Sequence, residues 1–197
     1  MKTLFFFLAL LVFNQTVFAQ NDLADAWHRR ERTEQTGMKV LAGWSVANIA
    51  VSAVAIGKAE GSNRYFHEMN IYWNAVNLGI AGLGFLNVAK SRKRSATFTL
   101  SEAVEAQHGV ETVLLFNSGL DLAYVASGFW LLEKSKNDVS QQDRLKGFGQ
   151  AVAIQGGFLL VFDITNYFIH RANAPKLKRV LDRVNVTGNS VGMVWKL

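Results

Sequence analysis

The chain has no cysteine and a single proline in 197 residues. Without thiols there can be no disulfide framework, no thiolate zinc site and no cysteine nucleophile. The lone proline, Pro175, stands where a helix can begin, because the first turn needs no amide hydrogen there. Charge is also scarce: 18% of residues are Asp, Glu, Lys or Arg, against roughly 25% in soluble domains. Half the chain is hydrophobic and the mean hydropathy is +0.11. The length allows one compact domain and the composition points to a membrane protein.

The charge that is present runs positive, +6 in all. It collects beside apolar runs, at Arg29, Arg30 and Arg32, at Lys90, Arg92, Lys93 and Arg94, and at Lys176, Lys178, Arg179 and Arg183. No nucleic-acid-binding module accompanies these clusters, so nucleic acid is not an expected partner. Anionic lipid headgroups are, with a merely solvated face as the plain alternative.

The first residues, "MKTLFFFLALLVFNQTVFAQ", place Lys2 before an apolar core from Leu4 to Phe13 and a Val17-Phe18-Ala19 ending. That three-part layout predicts a signal peptide over 1–19, since the core is short for a bilayer span. An uncleaved anchor is the alternative. A polar helical lead-in follows over 20–37. Then come four apolar segments: 38–57, roughly Tyr65 to Ala89, 110–132 and roughly Leu145 to His170. Each is about 20 residues or longer, enough to cross the hydrocarbon core as a helix, and none alternates as a strand would.

The expected fold is therefore all-α, a four-helix antiparallel transmembrane bundle with short interfacial amphipathic helices. The four-span membrane domain covers 38–172, and a basic amphipathic helix with a short tail covers 173–197. Thr99-Leu100-Ser101-Glu102 reads as a capping box opening an interfacial helix that feeds the third span. Val191, Met193, Trp195 and Leu197 alternate in the tail, a hint of a short strand.

Polar residues recur inside these segments at helical spacing. His67, Asn70, Asn74, Asn77, Ala81 and Gly84 share one face, as do Ser45, Asn48 and Ser52, and Asn117, Asp121, Tyr124 and Gly128. Asp163, Asn166 and His170 form a fourth stripe. Phe66, Trp73 and Ile80 fall on another face of the second segment, suited to lipid. In lipid, helices associate through small residues and interhelical hydrogen bonds. Asn48, Asn70, Asn74, Gly79, Gly128 and Gly157 are the candidate packing residues on that ground.

Carboxylates at span depth cost roughly 2.5–3.5 kcal/mol each on insertion scales, so they normally face an interior and often mark a pathway. Asp121 and Asp163, with Asn77, Asn117 and Asn166, are thus candidates for a ligand site or ion path. His108 and His170 fall on the same membrane side and could clamp a haem or metal between helices. Histidines at span ends more often make interfacial hydrogen bonds, and no cofactor is expected. "HEMNI" has Ile71 where a zinc protease needs its second histidine. "FNSGL" offers Ser118 with His170 as a base, but Phe116 occupies the glycine position of a hydrolase elbow. "GIAGLG" lies within a span rather than after a strand, so it is no nucleotide loop.

The combination of "GW" with Asn48, "RYFHEMN..WN.VNLGIAGLG", "EAQHGVE..LLFNSGLD.AYVASG" and "QGGFLLVFD" with "IHR" resembles an uncharacterised bacterial envelope family of unknown function. That resemblance covers most of the chain beyond the signal and implies a signal peptide followed by four spans. It brings no activity and no catalytic residues.

The sequence gives conflicting signs of sidedness. A cleaved signal leaves both termini outside the cytoplasm, whereas the basic clusters would sit inside by the positive-inside rule. The three-part layout of residues 1–19 is a processing signal whereas the charge bias is statistical, so periplasmic termini are expected. The expectation is a multi-pass protein of a bacterial inner membrane with periplasmic termini, structural, accessory or partner-binding rather than enzymatic. A membrane protein or a second copy of the chain is a candidate partner. Proton or small-solute handling through Asp121 and Asp163 is the alternative, and a soluble periplasmic bundle a more distant one.

Overall fold

The computed structural model describes the backbone of residues 2–94, 99–187 and 190–193, with side chains over 23–92 and 99–172. Among the described residues the chain forms four long helices and one small hairpin. Helix α1 runs Lys2–Ala55, α2 Gly61–Arg94, α3 Leu100–Lys134 and α4 Gln142–Arg183. Strands β1 (Val184–Thr187) and β2 (Ser190–Met193) pair antiparallel, Val186 opposite Val191. The strand expected from the tail alternation is present in β2, while Trp195 and Leu197 lie outside the described residues.

The helices are longer and fewer than the sequence segments suggested. The lead-in over 20–37 and the first apolar segment form one helix, since nothing between them competes with continuation. Helix α3 starts at the capping box and runs unbroken into the third segment. The Thr99 hydroxyl accepts from the Glu102 amide at 3.3 Å, and the Glu102 carboxylate accepts from the Thr99 amide at 2.7 Å. Pro175 does not open a separate helix but lies inside α4. The basic side chains from Lys176 to Arg183 fall outside the described residues.

Helix α4 is the hub of the bundle. It packs along α3 and also lies against α1 and α2, while α1 pairs with α2. Helices α1 and α3 touch briefly, where Leu23 and Trp27 meet Ala103, Leu100 and Val104. Helices α2 and α3 have no packed seam between them.

Close approach is set by glycines at a few crossings. A Cβ on Gly128 would fall 2.6 Å from the Ala153 backbone nitrogen, and one on Gly149 2.8 Å from the Gly128 carbonyl oxygen. One on Gly147 would strike the backbone of Ser62 and Phe66, so α4 is pressed to α2 there. Gly79 and Gly157 are different: nothing lies within 4 Å of an added Cβ at either. Gly79 is two residues beyond the buried Asn77, about 200° around the helix, and so faces outward. These two glycines do not mark helix crossings.

The distribution of side chains is inverted relative to a water-soluble core. Fourteen polar or charged residues are buried among the described residues, against seven hydrophobic ones, three of which are alanines. Large apolar side chains point outward instead on every helix, among them Val54, Leu83, Phe116, Trp130, Val161 and Phe168. By length and composition α1 (over Leu23–Ala55) and α4 (over Gln142–Ala172) are able to cross a membrane.

Candidate functional site

Two polar systems fill the interior. The first is a hydrogen-bond lattice joining α1, α2 and α4 around Gln155, whose side chain is fully buried. The Trp44 indole N–H donates to Gln155 Oε1 at 2.8 Å, and the Gln155 amide donates to Asn48 Oδ1 at 3.3 Å and to Asn70 Oδ1. Asn70 donates in turn to Ser52 Oγ at 2.8 Å and to Asn48 Oδ1 at 3.1 Å. Asn74 donates back to the Asn70 carbonyl at 2.8 Å. His67 Nδ1 lies 3.2 Å from Ser52 Oγ, and Trp44 stacks on Phe158 with ring centroids 3.9 Å apart. This lattice is nearly saturated internally and reads as helix-to-helix bonding.

The second system is a cavity of about 990 Å³ between α2 and α3, which share no extended seam. Helices α2 and α3 form its walls, and α1 and α4 close its floor. Its walls are mostly apolar, with Val76, Ile80, Leu83, Val110, Val113 and Leu120 among them. Asn77, Asn117, Asp121, Asp163, Asn166 and His170 all line it. The spacing in α4 explains three of these: Asp163, Asn166 and His170 step by three and four and so share one helix face.

Within the cavity Asp121 and Asp163 are in side-chain hydrogen-bond contact, and Asn117 reaches Asp163. A hydrogen bond between two carboxyl groups needs one proton between them, because neither carboxylate oxygen can donate. The stripe of α2 also turns inward, Asn70, Asn74, Asn77 and Ala81 all being buried, but of these only Asn77 lines the cavity. Trp73 is not directed away from the protein, as its place on the second face suggested. It closes against Tyr124 edge-on, ring centroids 4.8 Å apart, an aromatic contact that bridges α2 and α3.

Three buried polar atoms lining the cavity have no hydrogen-bond partner: Asn77 Nδ2, Asp121 Oδ2 and His170 Nδ1. Buried polar groups without partners are rare in folded proteins and call for an explanation each.

The two histidines proposed as a clamp do not come together. His170 is buried, whereas His108 is exposed. Its neighbour Gln107 faces inward instead, donating to the His170 carbonyl at 2.9 Å and to Glu111 Oε1 at 2.8 Å. Successive helix residues differ by about 100°, so only one of positions 107 and 108 can face α4. Among the described residues no group of three or more His, Cys, Asp or Glu is placed to hold a metal.

A charged cluster at the same end of the bundle is not evident in the sequence. Glu31, almost wholly buried, accepts from Trp27 Nε1 at 2.9 Å and from Ser91 Oγ at 2.6 Å. Arg30 pairs with Glu34 at 2.6 Å, and Arg171 approaches Glu111 at 3.6 Å. Trp27 and Glu31, and Arg30 and Glu34, are four residues apart on α1, but Ser91 and the Glu111–Arg171 pair bring in α2, α3 and α4, which no local spacing announces.

Residues 40–164 match a family described as a family of unknown function, DUF6992. The chain belongs to that family. The matched region holds Gln155 with its lattice and both cavity aspartates, while Glu31, Glu34 and His170 fall outside it. No curated protein and no solved structure matches the chain.

Proposed function

We propose that this DUF6992 member is a multi-pass protein of a bacterial inner membrane. In this reading residues 1–19 are a cleaved signal peptide and 38–172 a four-span antiparallel bundle with periplasmic termini. Its role is non-enzymatic: an accessory or binding protein that takes its ligand or partner in the cavity between α2 and α3.

The observation that carries this reading is the inverted distribution of side chains, polar inside and apolar outside on all four helices. In water, that arrangement would expose large apolar surface while burying groups that prefer solvent. In hydrocarbon both costs vanish. Exposed apolar residues extend from Val113 to Trp130 on α3 and from Tyr72 to Leu86 on α2. At 1.5 Å per residue these stretches cover about 26 and 21 Å of a hydrocarbon core roughly 30 Å thick. Helices α2 and α3 each carry an inward polar stripe, while their outer faces are apolar.

Extraction tests this. The protein should stay with membranes through a high-pH carbonate wash and leave only with detergent. A folded, monodisperse species in detergent-free buffer would sink the membrane reading.

The contact between Asp121 and Asp163 favours a second reading, proton or small-solute handling. In vesicles enclosing a pH-sensitive dye, Asp121→Asn and Asp163→Asn should then abolish a flux that the parent protein supports. Equal rates in parent, variants and empty vesicles would remove it.

A further inference from the structure

We propose that the cavity between α2 and α3 binds an uncharged amphiphile with a polyhydroxyl head, its polar end at Asn77 and Asp121 and its hydrocarbon along the apolar walls. The proposal deepens the binding role above and rests on the bundle lying in a membrane. Its starting point is the three unpartnered atoms. All belong to residues at least nine-tenths buried, and all three residues line this one cavity.

The atoms specify the head group by elimination. Asn77 Nδ2 is a donor and requires an acceptor. Asp121 Oδ2 is a carboxyl oxygen; with one proton shared between Asp121 and Asp163, it requires a donor. An ammonium head brings only donors, so it leaves Asn77 unpaired. A phosphate or carboxylate head brings negative charge, and the residues lining the cavity include Glu34, Asp121 and Asp163 but neither lysine nor arginine. A hydroxyl both donates and accepts, and so satisfies both atoms without adding charge.

His170 argues for more than one such group. It follows Asp163 by seven residues on the same face of α4, about 10 Å further along the helix. A single hydroxyl at Asp121 does not reach it, whereas a head with several polar groups extends toward it. The size agrees: a cavity of about 990 Å³ lies at the upper end of the roughly 300–1,000 Å³ typical of small-ligand sites. The missing α2–α3 seam leaves a lateral opening through which a molecule dissolved in the bilayer enters without crossing water.

Trp73 lines the cavity and serves as the reporter. Purified full-length protein in detergent is titrated with dibromostearoyl glycerol, whose bromines quench indole fluorescence on contact. The Trp73 signal is isolated as the difference from Trp73→Phe. Saturable quenching is expected, weakened about tenfold by Asn77→Leu, in keeping with a lost hydrogen bond to a buried group. Asp121→Leu should act likewise, provided circular dichroism and gel filtration show it folded. Val113→Phe fills an exposed wall position without touching the polar atoms and should abolish the saturable phase.

Tighter saturable quenching by dibromostearic acid, or by the corresponding brominated amine, would overturn the choice of head group. Linear quenching in the parent, unchanged by Asn77→Leu and Val113→Phe, would overturn the site itself. Either result leaves the membrane reading standing if carbonate washing still fails to release the protein. Release by carbonate would end that reading whatever the titration shows.

Discussion

Gln155 shows how much can depend on one side chain in a bundle held by polar contacts. It links Trp44 on α1, Asn48 on α1 and Asn70 on α2 to α4. Replacing it with leucine preserves volume but strands the Trp44 indole N–H and removes a donor from Asn70 Oδ1. Gln155→Leu should lower stability by about 1–3 kcal/mol, read as an earlier midpoint in a denaturing-detergent titration. Gln155→Glu should cost at least as much, since it takes away both amide donors. An unchanged midpoint in both variants would show that the lattice is dispensable. The residue was legible in principle: Gln155, Leu159, Asp163, Asn166 and His170 step by four, four, three and four on α4, extending the stripe read from Asp163 onward. It escaped notice because one glutamine eight residues from the next polar group does not look like a pattern. The asparagines of α2 were plain because they crowd one face within two turns. Glu31 was less plain, because Ser91, one of the groups that hold it, comes from α2, 60 residues along the chain.

At the scale of elements, glycine content alone does not say which helices touch. Gly79 and Gly128 both sit among apolar residues in the middle of a helix. Only the second meets a neighbour's backbone. Gly128→Ala should therefore force α3 away from α4 and destabilise by about 1–3 kcal/mol. Gly79→Ala should stay within about 1 kcal/mol of the parent, on the stabilising side, because it adds helix propensity in open space. Thermal scans of the two variants side by side decide this, and equal losses would contradict the packing described. The four long helices could be read from the four apolar segments, but their ends, and the merging of the lead-in and interfacial pieces into them, could not. Hydrophobicity marks the apolar middle of a segment, whereas backbone hydrogen bonding carries the helix on into polar sequence, as α1 and α4 do at either end of the chain.

For the whole molecule, the absence of cysteine makes orientation directly measurable. Lys93→Cys at the end of α2 and Asn137→Cys between α3 and α4 lie at opposite ends of the bundle. With periplasmic termini, a membrane-impermeant maleimide should label position 93 in intact cells and leave 137 unlabelled until the membrane is opened. The reverse pattern would mean that the basic clusters, rather than the signal sequence, govern insertion.

The central place of α4 also has a consequence in time. Helix α3 meets α1 at only a few residues and α2 along no seam, so when the ribosome has delivered the first three helices, the α1–α2 pair and α3 are still separate pieces. Their polar stripes then face no complete interior, and Asp121 has no Asp163 to share a proton with. Assembly waits for the last helix to be made, and a lesion in α4 would part α3 from the α1–α2 pair rather than loosen a single helix.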